Sequence, residues 1–193
     1  MKNLSFENLL RDAENLMLNE NDSYLQSYNE FKNYFDSIDV IEKHNLIIGS
    51  HFVYGWMPTI IHLDINEIEK VLENLNKAKS GSLLTENQLD IIKKCINNSI
   101  VGTSKLLHFI NPEVYAIWDS RIFRYLTGKK SSYGIDKSKA YVNYLNALNE
   151  IQKHNDYQIL HNKVQKNFKY EISSMRAIEL LMFETDRQRN SNK

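Results

Sequence analysis

The chain has 193 residues, 42% of them hydrophobic and 11% aromatic, which is enough for one domain with a buried core and argues against wholesale disorder. Two prolines and six glycines exclude collagen-like sequences and linkers and speak against turn-dense all-β folds; a single cysteine, Cys95, excludes an internal disulfide and a four-cysteine zinc or iron–sulfur site. The formal charge of zero hides a split, because residues 1–90 carry seven Lys/Arg against fifteen Asp/Glu and residues 91–193 carry seventeen against nine. That split points either to a polyanion or acidic partner for the second half, or to attraction between the two halves of one domain. No apolar run reaches the roughly 20 residues of a membrane span. Residues 1–10 lack the basic start and apolar stretch of a signal peptide, so a cytoplasmic protein without a membrane partner is expected.

Taken in chain order, almost every segment has a helical period. Phe6, Leu9, Leu10, Ala13, Leu16 and Met17 recur at three and four between Ser5 and Leu18. Asp22 or Ser23 caps a second helix that carries Tyr24, Leu25, Tyr28, Phe31, Tyr34, Phe35 and Ile38 on one side. Val40 to Met57 is apolar over a wider arc and reads as a buried helix interrupted by Pro58. A fourth helix starts at Asp64 or Asn66 and ends near Gly81; Thr85 with Gln88 forms a capping box that opens a fifth, to about Ile96. After the segment 97–126 come a turn at Ser131–Gly134, a helix capped by Asp136 through Leu148, one opened by Asp156, and a last one, Met175 to Asp186, capped by Ser173 or Ser174. The expectation is an all-α fold: a single helical domain over residues 1–189, acidic to residue 90 and basic beyond, with a disordered tail at 190–193.

The most informative stretch runs from Asn97 to Leu126, NNSIVGTSKLLHFINPEVYAIWDSRIFRYL. A helix ending near Ile96, a short hairpin at Asn98–Gly102 and a helix from Thr103 or Ser104 make a helix-hairpin-helix element near residues 85–110. Gly102 would supply a positive φ or a close backbone approach. The N–H groups of Thr103 and Ser104 would form an anion site suited to a phosphate. Lys105 falls in the first turn of that helix. Asn111-Pro112 ends it, an apolar run from Val114 to Trp118 follows, and Asp119 reads as the N-cap of the next helix. Arg121, Arg124, Lys129, Lys130, Lys137 and Lys139 then crowd nineteen positions and suit phosphate contacts, or simply a solvated face.

This layout resembles the helix-hairpin-helix DNA glycosylase superfamily, the 8-oxoguanine glycosylase and endonuclease III-like enzymes. Ile100-Val101-Gly102-Thr103-Ser104-Lys105 is similar to its hairpin and following lysine, and Pro112-Glu113-Val114-Tyr115-Ala116-Ile117-Trp118-Asp119 to the run that ends in its aspartate. The resemblance covers some 30 of the 193 residues. It implies an enzyme that excises a damaged or modified base from DNA by cleaving the N-glycosidic bond, in base-excision repair or in defence against modified invading DNA. Asp119 would be the catalytic carboxylate facing an oxocarbenium-like transition state. Lys105 would be a Schiff-base nucleophile, with strand cleavage as a second activity, or a lysine that only contacts phosphate.

A base extruded from the duplex needs aromatic walls and polar readers. Candidates are His51, Tyr54, Trp56 and Met57 from the interrupted helix, with His108, Phe109 and Trp118 near the hairpin; core packing is the plainer role for each. His51 with His62, or His108, could suggest a metal, but no cysteine or carboxylate spacing supports one, so neither a metal nor a cofactor is expected. The partner would be DNA carrying a damaged or modified base, engaged by a monomer. Two other readings stand beside this one: a non-catalytic helix-hairpin-helix protein that grips DNA phosphates, and a helical interaction or regulatory protein.

Overall fold

The structure, a computed structural model, describes residues 4–19, 22–56 and 59–191. Among them are ten helices: α1 Phe6–Glu14, α2 Ser23–Asp36, α3 Lys43–Trp56, α4 Ile68–Lys79, α5 Glu86–Cys95, α6 Ile100–Ile110, α7 Ser120–Thr127, α8 Ser138–Gln152, α9 Tyr157–Gln165 and α10 Ser174–Ser191. The fold is all-α, and extended backbone contributes one isolated bridge between Leu63 and Ile96, which straps the chain before α4 to the end of α5. No helix among the described residues is long and apolar enough to cross a membrane.

Local signals explain most helix starts. Ser5, Asp22, Thr85 and Asp119 each accept a backbone N–H from the first turn with the side chain, and Thr85 and Gln88 complete the capping box. Asp136 does not cap α8: Lys137 holds the N-cap position and gives no side-chain bond. Helix α10 runs past the expected end at Asp186 to Ser191, with Asn190 donating back to the Asp186 carbonyl at 2.9 Å, so the disordered tail expected from residue 190 is helical at Asn190 and Ser191.

The hairpin before α6 differs from expectation in a way that moves every later side chain. Asn97 and Asn98 take the left-handed conformation, at φ 53° and 48°, and Ser99 caps a helix that starts at Ile100. Asparagine is the non-glycine residue that best tolerates this region, so the turn needs no glycine. Gly102 instead lies inside the first turn of α6, where its N–H donates to the Ser99 hydroxyl at 3.2 Å. Its lack of a side chain has a packing reason: a Cβ there would sit 2.3 Å from the Tyr54 hydroxyl and 2.9 Å from its ring. Gly49 of α3 is covered in the same manner by the ring of Phe35. Gly102→Val is expected to cost about 3 kcal/mol by overpacking, read from urea unfolding midpoints. Tyr54→Ala in the same chain should recover part of that loss.

Helix α6 is the hub of the core. It packs on α2, α3, α4 and α5, and of its eleven residues all but Val101 and Lys105 are buried. Around it, α10 lies against α7, α1, α9 and α8. The charge split is partly consumed inside this body. Asp12 pairs with Arg189 at 2.8 Å, Glu14 with Lys163 at 3.7 Å, and Asp22 with Arg187, each joining the acidic half to the basic one.

Candidate active site

Val101 and Lys105, the two residues α6 does not bury, open into a cavity of about 500 Å³ between α6, the start of α7, α10, and the aromatic side chains Tyr24 of α2 and Trp56 of α3. That volume is in the range of sites that enclose a small organic molecule. Trp56 and Tyr24 meet edge-on at 5.3 Å, Phe183 of α10 also lines the cavity, and the Lys105 ammonium lies 5.5 Å from the Trp56 ring centre. The indole Nε1–H of Trp56 is buried without an acceptor among the described residues.

Lys105 sits one turn deeper into α6 than the hairpin reading placed it. Burial pushes its pKa below the usual lysine value, while the nearby Asp119 and Glu179 carboxylates oppose that shift. Asp119 reaches the same cavity as the N-cap of α7. Its Oδ1 accepts both cap bonds, from the N–H groups of Arg121 and Ile122 at 2.9 Å each, and its Oδ2 accepts no hydrogen bond among the described residues. Capping thus occupies one oxygen and leaves the other for chemistry.

Four further charged groups belong to the cavity and come from α10: Arg176, Glu179, Glu184 and Arg187, the last two paired with each other at 2.8 Å. Arg176 and Glu179 are 3% and 1% exposed and form an ion pair at 2.5 Å through Glu179 Oε2. Burial raises the Glu179 carboxyl to about 7, against the pull of Arg176 and Lys105. The Arg176 guanidinium lies 4.3 Å over the Tyr28 ring, and the Tyr28 hydroxyl donates to His108 Nε2 at 2.8 Å. His108 Nδ1–H in turn donates to the Tyr115 carbonyl at 2.7 Å. Burial and the neighbouring Arg176 charge lower the His108 pKa to about 3, so the ring is neutral and the chain of bonds runs in one direction.

The sequence-derived site is therefore partly assembled and partly dispersed. Lys105, Asp119, Trp56 and Arg121 line the cavity. His108, Phe109 and Trp118 do not: His108 sits behind Arg176, Phe109 packs under Trp56 at 5.3 Å, and the Trp118 Nε1–H is spent on the Ile135 carbonyl at 2.9 Å. Tyr54 is buried against Gly102. His51 lies in a shallow groove between α2 and α3, on the other side of Trp56, with Nδ1 on the Ile47 carbonyl at 2.7 Å. Met57 lies outside the described residues.

The expected DNA contacts divide in the same way. Thr103 and Ser104 are fully buried, and their hydroxyls bond the Ser99 carbonyl and the backbone of Trp118, because the earlier helix start turns them inward. With Gly102 they hold the core and present nothing to a phosphate. Arg124 is committed to Asp186 through a forked pair, while Arg121 lies over Phe183 at 5.3 Å. Lys129 and Lys130 are exposed beyond the left-handed C-cap of α7 at Gly128.

The signal for Arg176 and Glu179 was an acid and a base three residues apart inside an apolar run, Met175 to Phe183, which marks charges that a helix carries into a core. Among the described residues no group of three His, Cys, Asp or Glu is arranged to hold a metal ion. Comparison with known protein families, with curated proteins and with solved structures finds no match.

Proposed function

We propose that the chain is a DNA glycosylase that draws a damaged or modified base into the cavity and cleaves its N-glycosidic bond. The observation that carries the reading is the meeting of an amine of lowered basicity, Lys105, with the free Oδ2 of Asp119 in one aromatic-walled cavity. Trp56 and Phe183 offer faces on which an extruded base stacks. Nζ of Lys105 attacks the sugar C1′ as the bond to the base breaks, and Asp119 faces the positive charge that develops on the sugar. Lys129 and Lys130, with Arg121 at the rim, are the cations that would meet the phosphates.

Base release from duplex DNA bearing damaged or naturally modified bases, with borohydride added to reduce a Schiff base, tests this directly. Wild type is expected to release at least one base and to be trapped covalently on the DNA. Lys105→Ala should give no adduct and release the base at least about 100-fold more slowly. Absence of both release and adduct across the panel, with salt-sensitive DNA binding retained, would leave a non-catalytic binder.

A further inference from the structure

Glu179 has no part in the chemistry described so far, yet it stands in the same cavity as Lys105 and Asp119. Its carboxyl is 1% exposed, Oε2 is held by Arg176 at 2.5 Å, and Oε1 accepts no hydrogen bond among the described residues. An oxygen of a buried side chain that has no protein donor and lies on the cavity side is free to exchange a proton with a group in that cavity. Three helices contribute to the cluster: α6 brings Lys105, α7 brings Asp119 at its cap, and α10 brings Glu179 with Arg176. The other titratable groups facing Glu179 are Tyr28 on α2 and Tyr141 and Tyr144 on α8, all held as neutral phenols by burial. The Tyr141 and Tyr144 hydroxyls are already spent on the backbone carbonyls of Ala116 and Ile117, at 3.0 and 3.1 Å. Lys105 is therefore the group in the cluster with a proton to give, and Glu179 Oε1 is the acceptor without a donor.

We propose that Glu179 is the proton-transferring carboxyl of this site, taking the proton that Lys105 must lose to become a nucleophile and returning it to the departing base. The inference rests on the glycosylase reading for its second half only. The transfer balances. Lys105 and Glu179 form no direct ion pair among the described residues, so the proton crosses the cavity through a water, and Lys105 ammonium and Glu179 carboxylate become amine and carboxylic acid; Nζ then forms a bond to C1′ while the bond from C1′ to the base breaks, its electron pair leaving with the base. Glu179 protonates that base nitrogen and is again a carboxylate, and Lys105 carries the positive charge as a secondary ammonium on the sugar. Asp119, whose Oδ1 is fixed by the cap, has a separate task and faces the sugar throughout. The elevated Glu179 pKa, about 7, suits a group that both accepts and donates near neutral pH. Arg176 acts as a positioning residue, fixing Oε2 so that Oε1 is the oxygen turned to exchange.

The test uses the full chain and the carbon-13 resonance of the Lys105 ε-carbon in lysine-labelled protein, assigned by its loss in Lys105→Arg. In wild type this resonance is expected to show an inflection near pH 7 that follows Glu179. Glu179→Gln keeps the bond to Arg176 and the shape of the side chain. It should erase that inflection and move the lysine titration down by about one unit, because a nearby negative charge is gone. The same variant should release base about 100- to 10,000-fold more slowly in single turnover, with DNA affinity unchanged, and Glu179→Asp should restore part of the rate. Thermal melting of both variants guards against a fold effect. Superimposable Lys105 titrations in wild type and Glu179→Gln overturn the pairing whatever the release assay gives. A shifted titration with wild-type release in Glu179→Gln overturns the transfer to the base. If wild type releases no base while the titration shifts as stated, the glycosylase reading falls and the proton pair stands.

Discussion

Arg176→Met is expected to destabilise the protein by about 3–5 kcal/mol at pH 8, because it removes one partner of a buried ion pair and leaves the other charge behind. A loss of that size is at least about a fifth of the stability of a typical domain, about 5–15 kcal/mol. The cost should fall on acidification, and the sign follows from Glu179. Its folded pKa, about 7, is above the ordinary carboxyl value of 4.5, so the folded state binds more protons than the unfolded state between those limits. The stability this contributes is fully present below about 4.5 and is lost as pH rises through about 7. Without Arg176, whose charge holds the carboxyl down, the folded pKa rises further and the loss extends to higher pH. Urea unfolding at pH 5 and pH 8 should therefore show a smaller gap between variant and wild type at pH 5. A gap independent of pH would mean that the pair contributes through packing over Tyr28 and not through charge.

Asp119 is expected to separate folding from chemistry when replaced in two ways. Asparagine is as good an N-cap as aspartate, so Asp119→Asn should keep the bonds to Arg121 and Ile122 and melt within about 0.5 kcal/mol of wild type. It cannot present a charged oxygen to the sugar, and base release should fall about 100- to 1,000-fold, the scale of removing one electrostatic contact from a transition state. Asp119→Ala should lose the same activity and, in addition, about 1–2 kcal/mol of stability with the cap. Stability from denaturant midpoints and rates from single-turnover release give the two numbers independently. Equal stability losses in both variants, with release intact, would reduce Asp119 to its cap.

What could be read from the chain alone was what neighbouring residues decide. The caps at Asp22, Thr85 and Asp119 are local bonds across three or fewer residues, and each was legible. The start of α6 was not, because glycine is the usual source of a positive φ, whereas here Asn97 and Asn98 supply it. Starting the helix at Ile100 in place of Thr103 rotates Thr103 and Ser104 from a presumed phosphate site into the core. Lys105 and Asp119 were visible as chemistry because they share one short segment. Glu179 lies 60 positions beyond Asp119 and enters the cavity only through the packing of α10 on α7, which no local pattern encodes. The charge split allowed two explanations, and the ion pairs of Asp12, Glu14 and Asp22 with α9 and α10 account for part of it internally.

The two glycines under aromatic rings bear on how this chain can diverge. Phe35 over Gly49 and Tyr54 over Gly102 set the spacings of α2 to α3 and of α3 to α6, each by the thickness of one ring on bare backbone. Neither partner can change size alone without forcing the helices apart or opening a void between them. When homologous chains are aligned, positions 35 and 49 should vary together, as should 54 and 102, with a methyl or larger group at the glycine accompanied by a smaller residue opposite. Drift at these four positions would then proceed by paired replacement, and α3, clamped on both faces, would be the helix whose surface is least free to accept isolated substitutions.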